Sequence, residues 1–326
     1  MKILGIGNAL VDILIQIDNE KLLEILNLPK GSMQLIEADE IPGITSEIES
    51  LVAVMVSGGS AANTIHGLAN LGAKCGYLGK VGKDELGEFY AKDFSDTGVN
   101  TNLLNSTAVT GRAYTFITPD GERTFATYLG AAIELTANEL NPKIFSDYNL
   151  LHIEGYLVQN PALIESALKI AKNKGMRTSL DLASYNVVES SRDFLCRIIP
   201  EYVDIVFANE DEAKAYTGKE PSLALPVIAD QCEIAVVKIG KNGSIIQSGN
   251  NRYEVGIIPV NQLDTTGAGD QYAAGFLFGL LNNLSMDKSG EIGALLAARV
   301  IENYGARISP KLWPEVRELV NKIMGK

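Results

Sequence analysis

The spacing of apolar residues divides the chain into an N-terminal region of hairpins and a longer region in which strands and helices alternate. Residues 2–7 (KILGIG) form an apolar run typical of a short buried strand, whereas residues 13–18 (ILIQID) alternate as a half-exposed strand does. Residues 111–129 predict two strands joined by the Pro-Asp-Gly turn at 119–121. We therefore expect a small β-rich unit in the N-terminal part of the chain.

From about residue 150 onward, apolar strands are separated by helical segments. One such unit consists of the strand 150–157, the helix 161–175 and the strand 178–183, and further apolar strands begin the segments 204–218 and 234–249. Strands of a parallel sheet are buried on both faces, so this pattern indicates a parallel sheet with helices on both sides.

The two patterns together predict an α/β fold with two parts. The first is a three-layer α/β/α domain with a mainly parallel central sheet, expected over residues 1–12, 43–98 and 129–326. The second is a small β-sheet lid, expected over residues 13–42 and 99–128. This lid is expected to be inserted into or attached to the larger domain.

Composition and charge limit the kinds of molecule that the protein is expected to bind. The 326 residues are 46% hydrophobic and 21% charged, and the formal net charge is −12. This charge argues against a nucleic-acid or anionic-membrane surface, because such surfaces need clustered Lys and Arg. An anionic ligand remains compatible, since backbone amides bind phosphate without lysine.

No apolar run reaches the ~18 residues of a membrane helix, and residues 1–13 lack the long apolar core of a signal peptide. The three cysteines, Cys75, Cys196 and Cys232, lie far apart in apolar segments. That spacing is typical of neither a disulfide framework nor a zinc site. We expect a cytoplasmic protein with three buried free thiols.

The segment 264–280, DTTGAGDQYAAGFLFGL, places Asp270 where a glycine turn becomes a helix. The amides of such a turn and the positive end of the helix suit an anion, such as a phosphoryl group during transfer. Asp270 is then placed to accept a proton from an acceptor hydroxyl. A plain helix cap is the alternative, because Asp is a common N-cap residue. The segment is not a GxxxxGK[ST] loop.

Two further motifs suit hydroxyl groups. Residues 57–64 (SGGSAANT) form a second glycine turn at a helix start, where Ser and Asn side chains can bind hydroxyls. Close packing of the helix is the alternative. Asp12 ends an apolar strand, where a carboxylate can bind two sugar hydroxyls, although a surface charge is the simpler interpretation.

Two motifs in the second half of the chain suit a nucleotide. In residues 209–213 (NEDEA), Asn209 and Glu212 share one side of a helix start and offer the hard oxygen ligands that suit water-bound Mg²⁺. A capping box has the same spacing. Residues 236–244 (VVKIGKNGS) predict a strand, a glycine turn and a strand along which a nucleotide can lie, and a plain hairpin is the alternative.

In this order, the motifs resemble those of the PfkB carbohydrate kinase, or ribokinase-like, family over nearly the whole chain. The two signature regions are GGSAANTIHGLANLGAKCGYLGKVGKDELG (58–87) and DTTGAGDQYAAGF (264–276). GNALVDI (7–13) and MQLIEADE (33–40) are similar to the adenosine kinase branch, and GGSAANT resembles that branch better than the GGKGAN pattern of ribokinases. The resemblance implies a ribokinase-like fold and ATP-dependent phosphorylation of a primary hydroxyl on a sugar or nucleoside.

The resemblance also implies roles for the matched positions around the acceptor. It implies that Asp270 is the catalytic base and that the amides of Gly267, Ala268 and Gly269 form the anion hole. The implied acceptor contacts are Asp12, Gly59 and Asn63 at the ribose, Gln34 at the base from the lid, and Tyr156 against the purine. Gln271 and Tyr272 depart from the usual pattern after the catalytic Asp, and we expect them to point into or beside the site.

At the nucleotide, the resemblance implies that Asn209 and Glu212 position Mg²⁺ through water and that Arg123 of the lid reaches the phosphates on closure. The other implied nucleotide contacts are Lys238, Gly240, Gly243 and Thr266. Many members of the family bind a monovalent cation beside the anion hole. The positions matching that site are Asp264, Thr266, Asn303, Gly305 and Ser309.

We therefore expect an ATP-dependent kinase that phosphorylates the 5′-hydroxyl of a purine nucleoside, with Mg²⁺ and with K⁺ as a further candidate cofactor. Its expected partners are ATP and a small molecule, with no nucleic acid and no membrane, and it is expected to be a monomer or homodimer. A sugar kinase of the ribokinase or fructokinase type is the nearest alternative. A catalytically silent nucleotide-binding protein is a second, and no dinucleotide fingerprint favours a dehydrogenase.

Overall fold

The strands form two sheets that share no strand. The computed structural model describes all 326 residues. Its strands are, in chain order, β1 (Lys2–Ile6), β2 (Leu10–Gln16), β3 (Met33–Leu35), β4 (Ala53–Gly58), β5 (Lys74–Gly82), β6 (Asn100–Ser106), β7 (Gly111–Ile117), β8 (Arg123–Tyr128), β9 (Leu150–Glu154), β10 (Arg177–Asp181), β11 (Ile205–Asn209), β12 (Ile234–Lys238), β13 (Ser244–Ser248) and β14 (Asn251–Val255).

The large sheet has nine strands in the order β14-β13-β12-β11-β10-β9-β1-β5-β6. Its strands from β12 to β6 pair in parallel, and β13 and β14 extend the β12 edge as antiparallel strands. The prediction of a mainly parallel central sheet is confirmed. The apolar runs of β9 and β11 are the reason, because such strands are stable only where both faces are covered.

The chain has thirteen helices, most of which cover the two faces of this sheet. They are, in chain order, α1 (Lys21–Ile25), α2 (Ile41–Ile48), α3 (Ser60–Asn70), α4 (Glu85–Asp96), α5 (Pro142–Phe145), α6 (Pro161–Asn173), α7 (Tyr185–Ser190), α8 (Arg192–Tyr202), α9 (Glu210–Thr217), α10 (Pro221–Ala229), α11 (Ala268–Leu281), α12 (Met286–Val300) and α13 (Trp313–Met324). Short 3₁₀ turns span Gly130–Glu134, Ala137–Glu139, Gly155–Gln159 and Gly240–Asn242. None of the helices combines the length and the apolarity that crossing a bilayer requires.

The two faces of the sheet carry two separate hydrophobic cores. Along β11, Ile205 and Phe207 pack with α3, α11, α12 and α13, whereas Val206 and Ala208 pack with α6, α8, α9 and α10 on the other face. Successive side chains of a strand point to opposite faces, so one apolar run supplies both cores. The three-layer arrangement expected from the sequence is therefore present.

The small sheet has the order β3-β8-β7-β2-β4. In β2, Val11, Ile13 and Ile15 are buried and join the first core, while the residues between them are more exposed. This alternation leaves the opposite face of the sheet free to cover the larger domain.

The strand pairing corrects the expected lid boundaries. β4 (Ala53–Gly58) pairs with β2 in the small sheet although residues 43–98 were assigned to the α/β domain, and β6 (Asn100–Ser106) pairs with β5 in the large sheet although 99–128 was assigned to the lid. The lid also begins at Leu10 rather than at residue 13. An alternating pattern predicts a strand but not its partner, and that is the reason for the error.

One of the three thiols differs from expectation. All three cysteines are free, and Cys75 is buried and Cys232 half-buried, but Cys196 is exposed. It lies on α8, whose buried stripe consists of Leu195, Ile198 and Ile199, so position 196 points to solvent.

The large sheet brings four polar residues to one edge. Glu154, Asp181, Asn209 and Lys238 are the last residues of β9, β10, β11 and β12, which are parallel neighbours. The carboxyl ends of such strands are where α/β folds place ligands. The small sheet faces the same edge across a single large cleft.

Candidate active site

The cleft between the two sheets has a volume of about 1400 Å³, which exceeds the roughly 300–1,000 Å³ typical for one small ligand. Most of the predicted site residues line it: Asp12, Gly59, Asn63, Tyr156, Asn209, Glu212, Lys238, Gly240, Gly243, Thr266, Gly267, Ala268, Gly269 and Asp270. Six others do not: Gln34, Arg123, Asp264, Asn303, Gly305 and Ser309. The cleft is therefore large enough for two small molecules with Asp270 between them.

Asp270 lies in the first turn of α11, but it does not cap that helix. The N-cap residue is Gly267, and no side chain caps the helix. The Asp270 carboxylate instead reaches the start of α3, where Oδ1 accepts a hydrogen bond from Ser60 Oγ at 2.7 Å and Oδ2 accepts one from Asn63 Nδ2 at 2.9 Å. The capping alternative therefore does not account for Asp270.

Burial sets the protonation behaviour of Asp270. It raises the pKa of the carboxyl to about 6, even though the hydrogen bonds from Ser60 and Asn63 lower it. Such a group is mostly ionised near neutral pH and is more basic than an ordinary aspartate. Each carboxylate oxygen also keeps a free lone pair for a further proton donor.

The glycine turn before Asp270 supplies free backbone donors. Gly267 has a left-handed φ of 74°, and a side chain there would lie 2.6 Å from the Ala306 Cα, so only glycine fits. The amides of Gly267 and Gly269 donate to no carbonyl of the chain, whereas the Ala268 amide donates to the Thr265 carbonyl. The expected anion hole thus has two free amides, and Ala268 serves the turn instead.

Lys238 brings a positive charge to the same place. Its Nζ donates to Asp181 Oδ2 at 2.9 Å, and a side chain at Gly269 would lie 3.0 Å from that nitrogen. Burial lowers the pKa of the ammonium, but the carboxylates of Asp181 and Glu212 outweigh this and hold it above its ordinary value. A charged ammonium therefore lies beside the free amides of the glycine turn.

Asn209 and Glu212 form the capping box that the sequence left as an alternative. Asn209 Oδ1 accepts from the Glu212 amide and Glu212 Oε2 accepts from the Asn209 amide, each at 2.8 Å. Both residues also line the cleft, so capping and ligand binding are compatible. Burial raises the pKa of Glu212 to about 7.

The donors suit a magnesium ion held through water and phosphate rather than a complete protein cage. No three His, Cys, Asp or Glu side chains are grouped as direct metal ligands. Glu212 Oε1 additionally accepts from Asn209 Nδ2 at 2.6 Å. Mg²⁺ in nucleotide sites commonly keeps several waters and uses only one or two carboxylates.

The part of the cleft around Asp12 and Asn63 combines the carboxyl groups of Asp12 and Asp270 with an amide oxygen that has no partner. Burial raises the pKa of Asp12 to about 7, an effect that Arg307 opposes and Asp270 adds to. The Oδ1 atom of Asn63 is buried and has no partner in the chain. A buried acceptor without a partner is costly unless a ligand satisfies it, so this part of the cleft is suited to hydroxyl donors.

Glu154 holds this part of the cleft together and was not identified from the sequence. Its Oε1 accepts from the amide and from the side chain of Asn8, and its Oε2 accepts from the Ala61 amide, all at 2.9 Å. It thereby ties the end of β1 to the start of α3, which carries Ser60 and Asn63. The only signal in the sequence was a polar residue closing an apolar strand, and Asp181 carries the same signal.

Another part of the cleft lining is apolar. Tyr156 lies in the turn after β9 and is 36% exposed. The other apolar residues of this end come from the lid and from the large domain: Met33, Leu35, Ala113, Ala132, Ile133, Leu135, Leu157 and Leu163. A flat apolar group fits such a wall better than further hydroxyls do.

Gln34 is not part of that wall. Met33 and Leu35 line the cleft and Gln34 does not, because alternate residues of a strand point to opposite faces. The position expected to contact a base is thus displaced by one residue, and the lid offers apolar side chains in place of an amide.

The opposite end of the cleft is the expected nucleotide end. The turn between the antiparallel strands β12 and β13 brings Gly240, Lys241 and Gly243 to the cleft, so the hairpin alternative is present and lines the site. Sequence analysis missed its apolar surface, which consists of Ile257, Ile258, Ala294, Ala297, Ala298 and Ile301. Small residues on one face of α12 gave the only signal for it.

Gln271 and Tyr272, which follow Asp270, both have hydrogen-bond partners within the protein. Gln271 is fully buried, and its Nε2 donates to the carbonyls of Asn63 and Ala306 at 3.2 Å. The Tyr272 hydroxyl pairs with Ser244 Oγ at 2.6 Å, at the β13 side of the cleft. Gln271 therefore braces α11 inside the protein, whereas Tyr272 lines the cleft beside the site.

The residues matched to a monovalent-cation site are arranged differently from the expectation. Asp264 is buried, but its Oδ1 lies 2.6 Å from Nη1 of Arg123. Asn303 Nδ2 donates to the Arg299 carbonyl at 3.1 Å. A guanidinium thus lies where the cation was expected, and Arg123 contacts Asp264 and does not line the cleft.

Comparison with known proteins agrees with this architecture. The model of the pfkB family carbohydrate kinases matches residues 32–312. The structure of adenosine kinase from Sinorhizobium meliloti is 37% identical, covers 98% of this chain and 99% of its own, and superposes with a TM-score of 0.86.

Two other proteins are similar over nearly the full length. A probable sugar kinase from Rhizobium etli CFN 42 is 34% identical with a TM-score of 0.87, covering 98% of both chains. A 5-dehydro-2-deoxygluconokinase from Geobacillus thermodenitrificans is 27% identical over 95% of this chain and 96% of its own. The chain belongs to the pfkB family of carbohydrate kinases, which are phosphotransferases that use ATP and act on hydroxyl groups.

Proposed function

We propose that this kinase transfers the γ-phosphoryl group of ATP to the 5′-hydroxyl of a purine nucleoside. The observation that carries the proposal is the composition of the acceptor end of the cleft. A carboxylate and an unpaired amide oxygen, on Asp12 and Asn63, stand next to an apolar wall that includes Tyr156 and Leu35. A nucleoside has hydroxyls and a flat base in this same order.

The apolar wall should favour binding of a nucleoside over binding of a free sugar. A free sugar would expose its remaining hydroxyls to Met33, Leu35 and Ile133, which offer no hydrogen bonds. Burying hydroxyls without partners is unfavourable, whereas a purine buries apolar area and can stack on Tyr156. The adenosine kinase name of the similar Sinorhizobium meliloti protein is in line with this choice.

Asp270 is the proposed base. Its pKa of about 6 and its free lone pairs allow it to take the proton of the 5′-hydroxyl. The hydroxyl oxygen then forms a bond to the γ-phosphorus, and the bond from that phosphorus to the bridging oxygen of ADP breaks. Ser60 and Asn63 orient the carboxylate for this step through their two hydrogen bonds.

Negative charge that develops on the transferring phosphoryl group is stabilised by groups of the protein itself. The free amides of Gly267 and Gly269 and the ammonium of Lys238 lie together at the start of α11. Fixed donors of this kind stabilise a transition state because they need no reorganisation. Asn209 and Glu212 are the proposed holders of Mg²⁺ through water, and the ion would neutralise phosphate charge.

A sugar kinase is the second candidate. Asp12 and Asn63 would bind the vicinal hydroxyls of a free sugar equally well, and the similar Geobacillus thermodenitrificans protein is named a 5-dehydro-2-deoxygluconokinase. The mechanism at Asp270 would be unchanged. Only the apolar wall would then lack a role.

The test is ADP release from ATP and Mg²⁺ with a panel of acceptors, followed by phosphorus NMR of the product. The panel contains adenosine, guanosine, inosine, cytidine, ribose, fructose and a keto-deoxy sugar acid. We expect turnover on a purine nucleoside and a 5′-monophosphate product. Turnover on a free sugar alone would establish the second candidate, and no turnover on any acceptor would favour a catalytically silent nucleotide-binding protein.

A further inference from the structure

The lid carries an arginine that is paired outside the cleft. Arg123 is the first residue of β8, and its Nη1 lies 2.6 Å from Asp264 Oδ1. The Asp264 side chain is 1% exposed and that of Arg123 is 19% exposed. This buried ion pair directly joins the small sheet to the segment that leads into the glycine turn.

Asp264 also organises the glycine turn from behind. Its Oδ1 accepts from the Thr266 amide and its Oδ2 accepts from the Gly305 amide, each at 2.7 Å. Ala306, next to Gly305, is the residue against which Gly267 packs. The Asp264 carboxylate therefore holds the two backbone segments, at Thr266 and at Gly305, that position the free amides beside Asp270.

A carboxylate so deeply buried needs a positive partner. An uncompensated buried charge is strongly destabilising, and a guanidinium remains charged at any physiological pH. In this structure the partner is Arg123, with the Phe125 ring 5.8 Å from the guanidinium carbon. Among the residues matched to a monovalent cation, Thr266 and Gly305 turn amide donors toward Asp264, and the Asn303 side chain donates to the Arg299 carbonyl instead.

We propose that Arg123 is the built-in cation of this site. Its guanidinium occupies the position beside Asp264 that would otherwise take a monovalent cation, so the kinase needs no K⁺. Because Arg123 belongs to the lid, the pair also couples lid closure to the shape of the glycine turn. Arg123 is a positioning residue, since it acts on the reacting groups only through Asp264 and the backbone.

The test replaces Arg123 and measures the response to potassium. R123M removes the charge and leaves an apolar side chain of similar length, whereas R123K keeps a cation. R112M is the matched control, because Arg112 is also a lid arginine but is paired at 3.9 Å with Asp84, outside the cleft. Rates and melting temperatures are compared in about 0.1 M KCl and in choline chloride of equal ionic strength.

We expect wild type, R112M and R123K to respond equally to the two salts. R123M should lose about tenfold to a hundredfold in turnover in choline, because the glycine turn is displaced, and should regain most of it in KCl. Its melting temperature should also rise by roughly 2 °C or more in KCl relative to choline. The melting experiment uses no acceptor, so it is decided independently of the proposed nucleoside specificity.

Two results would overturn the proposal. One is stimulation of the wild-type enzyme by KCl over choline, which stands as a test even where R123M fails to fold. The other is a folded R123M whose turnover and melting temperature are the same in both salts.

Discussion

The floor of the cleft is polar and hydrogen-bonded, whereas the lid above it is apolar. The floor consists of the polar residues that end parallel strands and of Asp270 at the start of α11, and hydrogen bonds such as Lys238 to Asp181 and Ser60 to Asp270 hold it in place. The lid contributes the apolar side chains of Met33 and Leu35, which line the cleft and are 60% and 65% exposed. In the proposed mechanism, the fixed charges of the floor serve phosphoryl transfer and the adaptable apolar cover serves the choice of acceptor.

Because the floor and the lid act through different interactions, substitutions in the two regions should change different kinetic constants. A catalytic group acts only when held within a fraction of an ångström, and the floor achieves this with partners on two helices and two strands. An apolar cover stabilises its ligand through the apolar area that is buried, and this area changes little when the ligand shifts by a small distance. Changes to the floor should thus reduce kcat, and changes to the lid should raise KM and relax selectivity.

The largest effect is expected on the floor at Asp270. D270N removes the base but keeps the shape and one acceptor oxygen, so kcat should fall by about 10²–10⁴-fold, the usual contribution of a general base. Steady-state kinetics at saturating ATP measure this. Turnover within about tenfold of wild type in a folded variant would remove Asp270 from its role.

A smaller effect is expected from the lid. L35A should raise KM for the nucleoside about tenfold with little change in kcat, because it removes apolar area that covers the base. Q34A is the matched control on the same strand, and its KM should stay near that of wild type because Gln34 does not line the cleft. Equal effects of the two variants would contradict the register of β3.

The smallest expected effect is on pH dependence. Asp270 must be ionised to accept a proton, so kcat/KM should fall as the pH drops through about 6. Ser60 donates a hydrogen bond that lowers the pKa of Asp270, so S60A should move this acid limb to higher pH. A pH profile of kcat/KM measures the limb, and a shift to lower pH would contradict the assignment.

The parts of the site that the sequence predicted are those determined by local backbone. The glycine turn before Asp270 needs a left-handed backbone conformation at Gly267 and a helix that begins immediately after it. Consecutive residues of the sequence indicate both features. The capping box of Asn209 and Glu212 is local in the same way. The alternation of apolar strands and helices likewise predicted the parallel sheet.

The parts that were missed depend on pairing between distant segments. Gln34 was assigned to the base from the resemblance, but the sequence does not show which face of β3 meets the cleft, and Met33 and Leu35 line it. A shift of one residue in strand register reverses the face of a side chain. Arg123 lies far along the chain from Asp264, and no spacing relates them. Glu154 and Asp181 are single polar residues whose roles arise only when neighbouring strands bring their ends together.

The proposed nucleoside specificity is tested most directly by calorimetric titration of D270N with a purine nucleoside and with ribose. We expect the nucleoside to bind D270N within a few-fold of its affinity for wild type, because the lid and Tyr156 are intact. Ribose should bind at least about tenfold more weakly, because it lacks the base that the apolar wall is proposed to cover. If ribose binds as tightly as the nucleoside, the cleft is not built for a nucleoside.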